Sequence, residues 1–448
     1  MDVEQAMKIT TDLDSDCVWF RTAAESLSLA PLEAQLHCDI AIVGAGYTGL
    51  TTALRLAEAG QDVMVIEAQE VGYGASGRNL GHCTPTLHYW PFSKLKKMYG
   101  LEYATRIIRM QTQAAKQVFS LIENYQIDCE AVCNGILRLA ASPKHLKSLE
   151  TQKDFYQAHG LPGRMLTPDE ARDLSGSSRF HGGWLMEGAG HLNPLGYARG
   201  LARAALSQGA KIFIQSPVNG LKKEGSKWHL QTPEGSVTAN KVLLATGAYT
   251  IGPPWPRLDK AFDPVPIVGL ATDPVDPALR EQVLKGDHSL VDTHGDPILY
   301  KWTRDNRLVT TVFFSGAMGH DSEKTRDYMT RKTQWVFPQL GALNWTCYWY
   351  GNLDAQYRTI PRVFRLDDNV YSCLGFSGRG VPTATAMGSV LADLLAGADE
   401  TELSVPVESF RRVLPGLATL QSISFKWGRF RDRLRMRLDG ASELPPTP

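Results

Sequence analysis

Residues 38–67 read CDIAIVGAGYTGLTTALRLAEAGQDVMVIE. The run Ile40-Ala41-Ile42-Val43 is short, apolar and rich in β-branched side chains, which is the pattern of a parallel strand buried on both faces. Gly44-Ala45-Gly46-Tyr47-Thr48-Gly49 follows at once. Leu50, Ala53, Leu54 and Ala57 then share one face of a helix that Gly60 ends. A second buried strand, Val63-Met64-Val65-Ile66, runs into Glu67. The glycines serve different mechanical ends. Gly44 permits the tight turn, Gly46 lets the backbone approach a pyrophosphate, and Gly49 lets helix and strand pack closely. The phosphates would rest on the positive end of the helix. Glu67, about twenty residues past the glycines, is placed to accept hydrogen bonds from a ribose, and an acid there repels the extra phosphate of NADP. Strand, turn, helix, strand and acid in this order read as a dinucleotide-binding unit.

The bulk properties narrow the class. A chain of 448 residues has room for two domains, one interrupting the other. Hydrophobic content of 43% with 21% charged residues is that of a globular protein, not a disordered or fibrous one. The 47 basic and 47 acidic residues cancel, so the whole-molecule field gives no sign of a nucleic-acid partner. Seven cysteines are few and odd in number, which reads as reduced thiols in a cytoplasmic protein. Cys129-x-x-x-Cys133 lacks a second pair to complete a zinc site, so both read as buried structural thiols and no metal is expected. The acidic start (Asp2, Glu4, Asp12, Asp14, Asp16) is no signal peptide. No apolar run reaches the roughly 18 residues of a membrane span.

Residues 1–37 form a polar lead-in carrying Val18-Trp19-Phe20, an arm or short helix packed on the main domain. After Glu67 comes a second glycine-rich loop, Val71-Gly72-Tyr73-Gly74-Ala75-Ser76-Gly77-Arg78-Asn79-Leu80-Gly81. It suits a long anionic cofactor, with Arg78 and backbone N–H groups facing the diphosphate; the plainer reading is a solvated loop with a surface arginine. A helical stripe spans 101–125, and further helices start at the capping box Thr167-Pro168-Asp169-Glu170 and at Asn193-Pro194. Strands are expected at 211–215, 218–221, 228–232 and 237–239, and Lys241 to Thr250 returns the chain to the parallel sheet. Residues 253–345 turn proline-rich and then strand-like at 298–302 and 308–314, with a helix over 324–337. They read as a second, mostly antiparallel domain completed by 92–187. Val370 to Val381 followed by a helix from Pro382 to Leu395 is again strand, small-residue turn and helix, and supplies a third set of N–H groups at a positive helix end.

Taken together, these residues resemble the FAD-dependent amine and amino-acid oxidase family that includes D-amino acid oxidase, glycine oxidase, sarcosine oxidase and gamma-glutamylputrescine oxidase. The resemblance rests on Gly44 to Leu50, Glu67-Ala68, Gly74-Ala75-Ser76-Gly77-Arg78-Asn79, Ala245-Thr246-Gly247-Ala248-Tyr249 and Gly375-Phe376-Ser377-Gly378-Arg379-Gly380. It implies an α/β fold: a glutathione-reductase-like, Rossmann-type FAD domain with an inserted α+β substrate domain built on an antiparallel sheet. The FAD domain would take 1–91, 188–252 and 346–448, and the substrate domain 92–187 and 253–345. Cofactor contacts carry over to the quoted motifs, with Leu80, Val218 and Val381 beside them. The implied reaction moves a hydride from a C–H bond next to nitrogen in a small amine or amino acid to the flavin. The imine is then hydrolysed, and O2 reoxidises the flavin to give H2O2. Leu80-Gly81 stands where the family often has Gly-Gly, and Arg379 where several relatives have histidine. Sarcosine oxidases attach FAD through a cysteine near the position of Cys347; an ordinary buried thiol with non-covalent FAD is the alternative.

For the chemistry, Lys301 falls on the substrate-domain strand, where it would favour anionic reduced flavin or bind a carboxylate; pointing outward is its other reading. Tyr300 alternates with it, so at most one of the pair faces the pocket. His82, Tyr89, Trp90 and Arg358 are further pocket candidates. The basic segment 425–438 reads either as an amphipathic helix for a membrane surface or partner, or as a helix docked on its own domain. Two rivals to an oxidase remain: a dehydrogenase of this fold passing electrons to a quinone or carrier protein, and a flavin-binding protein without turnover.

Overall fold

The computed structural model describes residues 16–87, 92–250, 252–313, 321–356, 360–410 and 445. Arg358, Tyr89, Trp90 and the segment 425–438 lie outside the described residues. The strand Gln35–Val43 sits inside a nine-stranded sheet, paired in parallel with Val63–Ile66 on one side and Ser236–Leu244 on the other. Lys211–Phe213 and Val370–Leu374 extend the parallel set outward. The reason these strands are unbroken apolar runs is visible in their two faces. Ile40, Ile42, Val63 and Val65 pack into one hydrophobic core under the helices, while Ala41, Val43, Met64 and Ile66 pack into another with Trp228 and Phe364. Both faces are covered, so neither position parity can be polar. The helix Tyr47–Glu58 packs between Pro194–Ser207 and Gly380–Ala396.

A second sheet of eight strands runs in the order Trp345–Ala355, Asp263–Thr272, Leu308–Phe313, Leu299–Trp302, Ser289–Asp292, Ile136–Leu139, Gly183–Met186, Arg164–Leu166. All its pairings are antiparallel except that of Ser289–Asp292 with Ile136–Leu139. A two-stranded ladder, His82–Cys83 with Gly190–His191, stands apart from both sheets.

Two expected boundaries shift. The strand Trp345–Ala355, which the expected domain boundary at 346 would split, pairs along its length with Asp263–Thr272 and belongs to the second sheet. The helix Phe92–Asn124, expected in the second domain, is kinked at Gly100 (φ +80°) and buries Ile107, Ile108, Ala115, Val118 and Leu121 in the core that holds Ile40 and Leu50. Its apolar stripe is core beneath the nine-stranded sheet. The strand expected at 218–221 begins at Gly220, with Val218 in the preceding loop. Cys133 is exposed, against the expected burial; the other six cysteines are buried. No helix among the described residues is long and apolar enough to cross a membrane.

Candidate active site

A cavity of about 440 Å³ opens beyond the carboxyl ends of the central parallel strands, where open α/β sheets place their ligands. The first turn lines it with Gly44, Ala45, Gly46, Tyr47 and Thr48, and the second strand with Glu67 and Ala68. The glycine-rich loop adds Gly74, Ala75, Ser76, Arg78, Asn79 and Leu80. Val218, Thr246, Gly247, Gly378, Gly380 and Val381 complete that side. The three separated turns therefore meet on one space. Gly49, Gly77, Gly375, Ser377 and Arg379 stand behind it. A Cβ on Gly49 would lie 2.1 Å from the Gly44 carbonyl oxygen, and one on Gly77 would lie 2.3 Å from that of Gly72. Both glycines are close-packing positions.

Glu67 accepts hydrogen bonds from the Ala45 N–H (2.7 Å) and the Gln69 N–H (3.0 Å). Burial pushes its carboxyl up, and these donors pull it back. Ser76 reaches across to accept from the Tyr47 N–H at 3.0 Å, so the second loop closes the start of the first helix. Arg78 lines the cavity and is also held within the protein. Its Nε donates to the Tyr73 carbonyl at 2.6 Å and Nη1 to that of Tyr350 at 3.4 Å, with Tyr73's ring 4.6 Å away. The buried guanidinium thus ties the loop to the second sheet. Two indoles pin the same loop: Trp19 Nε1 donates to the Asn79 carbonyl and Trp349 Nε1 to that of Arg78, both at 2.9 Å. Gly269 makes room for the second, since a Cβ there would fall 2.2 Å from the Trp349 ring.

The opposite wall comes from the second sheet, through Ile267, Gly269, Leu299, Thr311, Phe313 and Leu353. At its end Asp354, 4% exposed, accepts from the N–H groups of Gly375 (2.6 Å), Phe376 (3.1 Å) and Ser377 (3.0 Å). The third turn was expected to offer these N–H groups to a ligand; a carboxylate of the chain itself takes them.

A family model described as FAD dependent oxidoreductase matches residues 39–394, which spans all three turns and the second sheet. The chain belongs to this family of FAD-dependent oxidoreductases. Gamma-glutamylputrescine oxidoreductase of Escherichia coli (strain K12) is 31% identical over 381 residues, covering 84% of this chain and 88% of that one. Among solved structures, glycine oxidase from Geobacillus kaustophilus superposes with a TM-score of 0.66 at 20% identity, over 82% of this chain and 96% of that one. L-proline dehydrogenase from P. horikoshii superposes with a TM-score of 0.65 at 19% identity, over 82% and 96%. At such identities these two likenesses speak for the fold.

The residues present fit the family's FAD. Two helix starts, at Tyr47 and Gly380, meet the cavity and favour anionic groups. On its wall two buried polar groups have no hydrogen-bond partner among the described residues: the Asn352 carboxamide and His82 Nε2. Asn352 and Asp354 were missed from sequence because nothing local marks them. Among the described residues no cysteine lines the cavity, and Cys347 sits in a buried cluster with Cys17, Trp19 and Val309.

Of the catalytic candidates among the described residues, His82 alone lines the cavity. Burial, with Lys301 and Arg379 adding to it, drives its imidazole down to about 3, so the ring stays neutral at working pH. Tyr300 points away from the cavity, its hydroxyl 2.7 Å from Thr333 Oγ1 in the second domain's core. Lys301 does not line the cavity either. It is 0% exposed, donates to the Leu192 carbonyl at 2.8 Å, and lies 4.9 Å from the Trp19 ring. It pins the His82 ladder to the second sheet.

Two outcomes follow from these pins. Burial pushes the Lys301 ammonium from 10.5 down to about 8, a penalty of about 3 kcal/mol at neutral pH. Between those values the unfolded chain holds a proton that the folded one has lost, so folding gains from rising pH across that window. The stability of Lys301→Met relative to the parent, from urea unfolding, should therefore fall by about 3 kcal/mol as pH climbs from 8 to 10.5; a flat difference would show the ammonium to be well solvated. Trp19→Phe removes the donor to Asn79 together with the five-membered half of a fully buried indole. It should cost about 2–4 kcal/mol and speed flavin release, and equal urea midpoints for both proteins would count against the pin.

Proposed function

We propose that the chain oxidises the C–N bond of a small amine or amino acid, and that the residues lining the cavity hold FAD non-covalently. FAD, when bound, supplies the acceptor for a hydride from the C–H bond beside nitrogen. The chain's part is to hold, orient and keep dry. Glu67 would take the ribose hydroxyls, the starts of the helices at Tyr47 and Gly380 would take the phosphates, and the second sheet would shelter the reacting end. His82, held neutral, accepts or donates a hydrogen bond there without adding charge, which suits an amine that must react unprotonated. Water would hydrolyse the imine product, and O2 would serve as the final acceptor, giving H2O2, in a cytoplasmic setting.

The observation that carries this reading is the single cavity shared by the three turns and the apolar face of the second sheet. We read the nine-stranded sheet with the helix 92–124 as the cofactor domain, and the eight-stranded sheet, through 355, as the substrate domain. The relative named for gamma-glutamylputrescine directs attention to amines on extended chains. The test is an anaerobic screen of polyamines, their acylated forms and amino acids for loss of the oxidised flavin absorbance. At least one should bleach the flavin, and oxygen uptake with equimolar peroxide should follow on admitting air. Bleaching without oxygen uptake would make the enzyme a dehydrogenase with another acceptor; no bleaching by any amine would leave a flavin-binding protein without turnover.

A further inference from the structure

We propose that Asn352 is the residue through which the second sheet recognises the flavin, its carboxamide hydrogen-bonding the N–H and C=O groups along the ring's polar edge. This rests on FAD occupying the cavity. Asn352 lies on the strand Trp345–Ala355, lines the cavity, and is 1% exposed. Its Oδ1 and Nδ2 are both buried and neither has a hydrogen-bond partner among the described residues.

The backbone around Asn352 is fixed for other reasons, which leaves its side chain no structural role. Its own N–H donates to the Tyr249 hydroxyl at 3.3 Å. Gly351, just before it, packs against Arg78, where a Cβ would stand 3.3 Å from the Arg78 Cβ. Two residues on, Asp354 fastens the strand end to the third turn. A buried amide with neither end satisfied disfavours the empty protein, and a leucine of similar size would relieve it. What repays the amide is a ligand presenting a donor and an acceptor side by side. Phosphates only accept, so they meet half of it. The heterocycles at the two ends of FAD carry such edges. Glu67, the ribose acid, stands at the end of Val63–Ile66 in the first sheet, whereas Asn352 comes from the second sheet with Leu353 and Ile267 beside it on the wall. The flavin ring is therefore the partner, not the adenine.

The test compares full-length apoprotein of the parent with Asn352→Leu and Asn352→Ser, each titrated with FAD and with ADP by tryptophan fluorescence. Asn352→Leu should lower FAD affinity about 10- to 100-fold and leave ADP affinity within about twofold. Its apoprotein should unfold no earlier than the parent's, having lost a buried unmet amide, while the flavin-loaded form unfolds earlier. Asn352→Ser, which keeps one donor and acceptor, should fall between, and serves if the leucine variant does not fold. FAD affinity within about twofold of the parent in the folded variants, or ADP affinity falling alongside it, would overturn the assignment. A parent apoprotein that binds no FAD would overturn the cofactor reading as well, so the two failures are distinguishable.

Discussion

Gly49→Ala should yield a protein that purifies without flavin and unfolds well before the parent. The added Cβ would stand 2.1 Å from the Gly44 carbonyl oxygen, 3.2 Å from Ile42 Cγ2 and 3.3 Å from the Gly44 carbonyl carbon. Two of those three atoms are backbone of the first turn, so no rotamer change relieves the clash. The helix Tyr47–Glu58 must move off the strand, and it is wedged between two other buried helices. Overpacking of this kind costs about 1–3 kcal/mol in a core that adjusts, and this contact belongs at or above the upper end. Gly46→Ala makes the informative contrast. There the Cβ would meet only Ser76, with Oγ at 2.9 Å, and a side chain can turn aside. Its fold should survive, while the methyl intrudes where the backbone approaches the pyrophosphate, lowering FAD affinity by more than about tenfold. Thermal unfolding and flavin content separate the two. If Gly49→Ala retained both, the close packing of helix on strand would not be what shapes the site.

Asp354→Ala carries the second large effect. Three N–H groups of the third turn would lose their acceptor in a buried setting, and hydrogen bonds to an ionised group are worth about 1.5–3 kcal/mol each. Even a partial loss is a sizeable fraction of the roughly 5–15 kcal/mol that holds a folded protein together. The turn carries Gly375 at φ +101°, Ser377 at φ +47° and Gly378 at φ +90°, conformations that the carboxylate helps to hold. Asp354→Asn keeps the shape but sets an amide NH2 against one N–H, so it should fall between parent and alanine variant in both urea stability and flavin affinity. An alanine variant within about 1 kcal/mol of the parent, with flavin affinity unchanged, would mean that the turn holds itself.

What could be read along the chain was what depends on neighbours in sequence. The unit from Ile40 to Glu67 declares itself because the glycines, helix face and acid act on one ligand from adjacent positions. The capping box at Thr167 and Glu170 forms for the same reason. The contributions of Arg78, Lys301 and Asp354 depend on partners up to 272 residues away, which no local pattern encodes. Arg78 reads as a phosphate ligand because a loop arginine beside glycines usually has water or an anion to face; that two tyrosine carbonyls also take its N–H groups depends on Tyr350, far away in sequence. Lys301 falls on the expected strand, but alternation alone cannot say that the inward side holds a carbonyl and an indole instead of substrate. The helix 92–124 belongs to a different core from the expected one because an apolar stripe states that a face is buried without stating against what.

Titration of full-length apoprotein with FAD, followed by visible absorbance and protein fluorescence, tests the central claim most directly. One FAD should bind per chain, with ADP competing for the same site and Gly46→Ala abolishing most of the affinity. A protein that takes up no flavin, or that binds FAD with Gly46→Ala and Asp354→Ala both without effect, would contradict the convergence of the three turns on one cofactor.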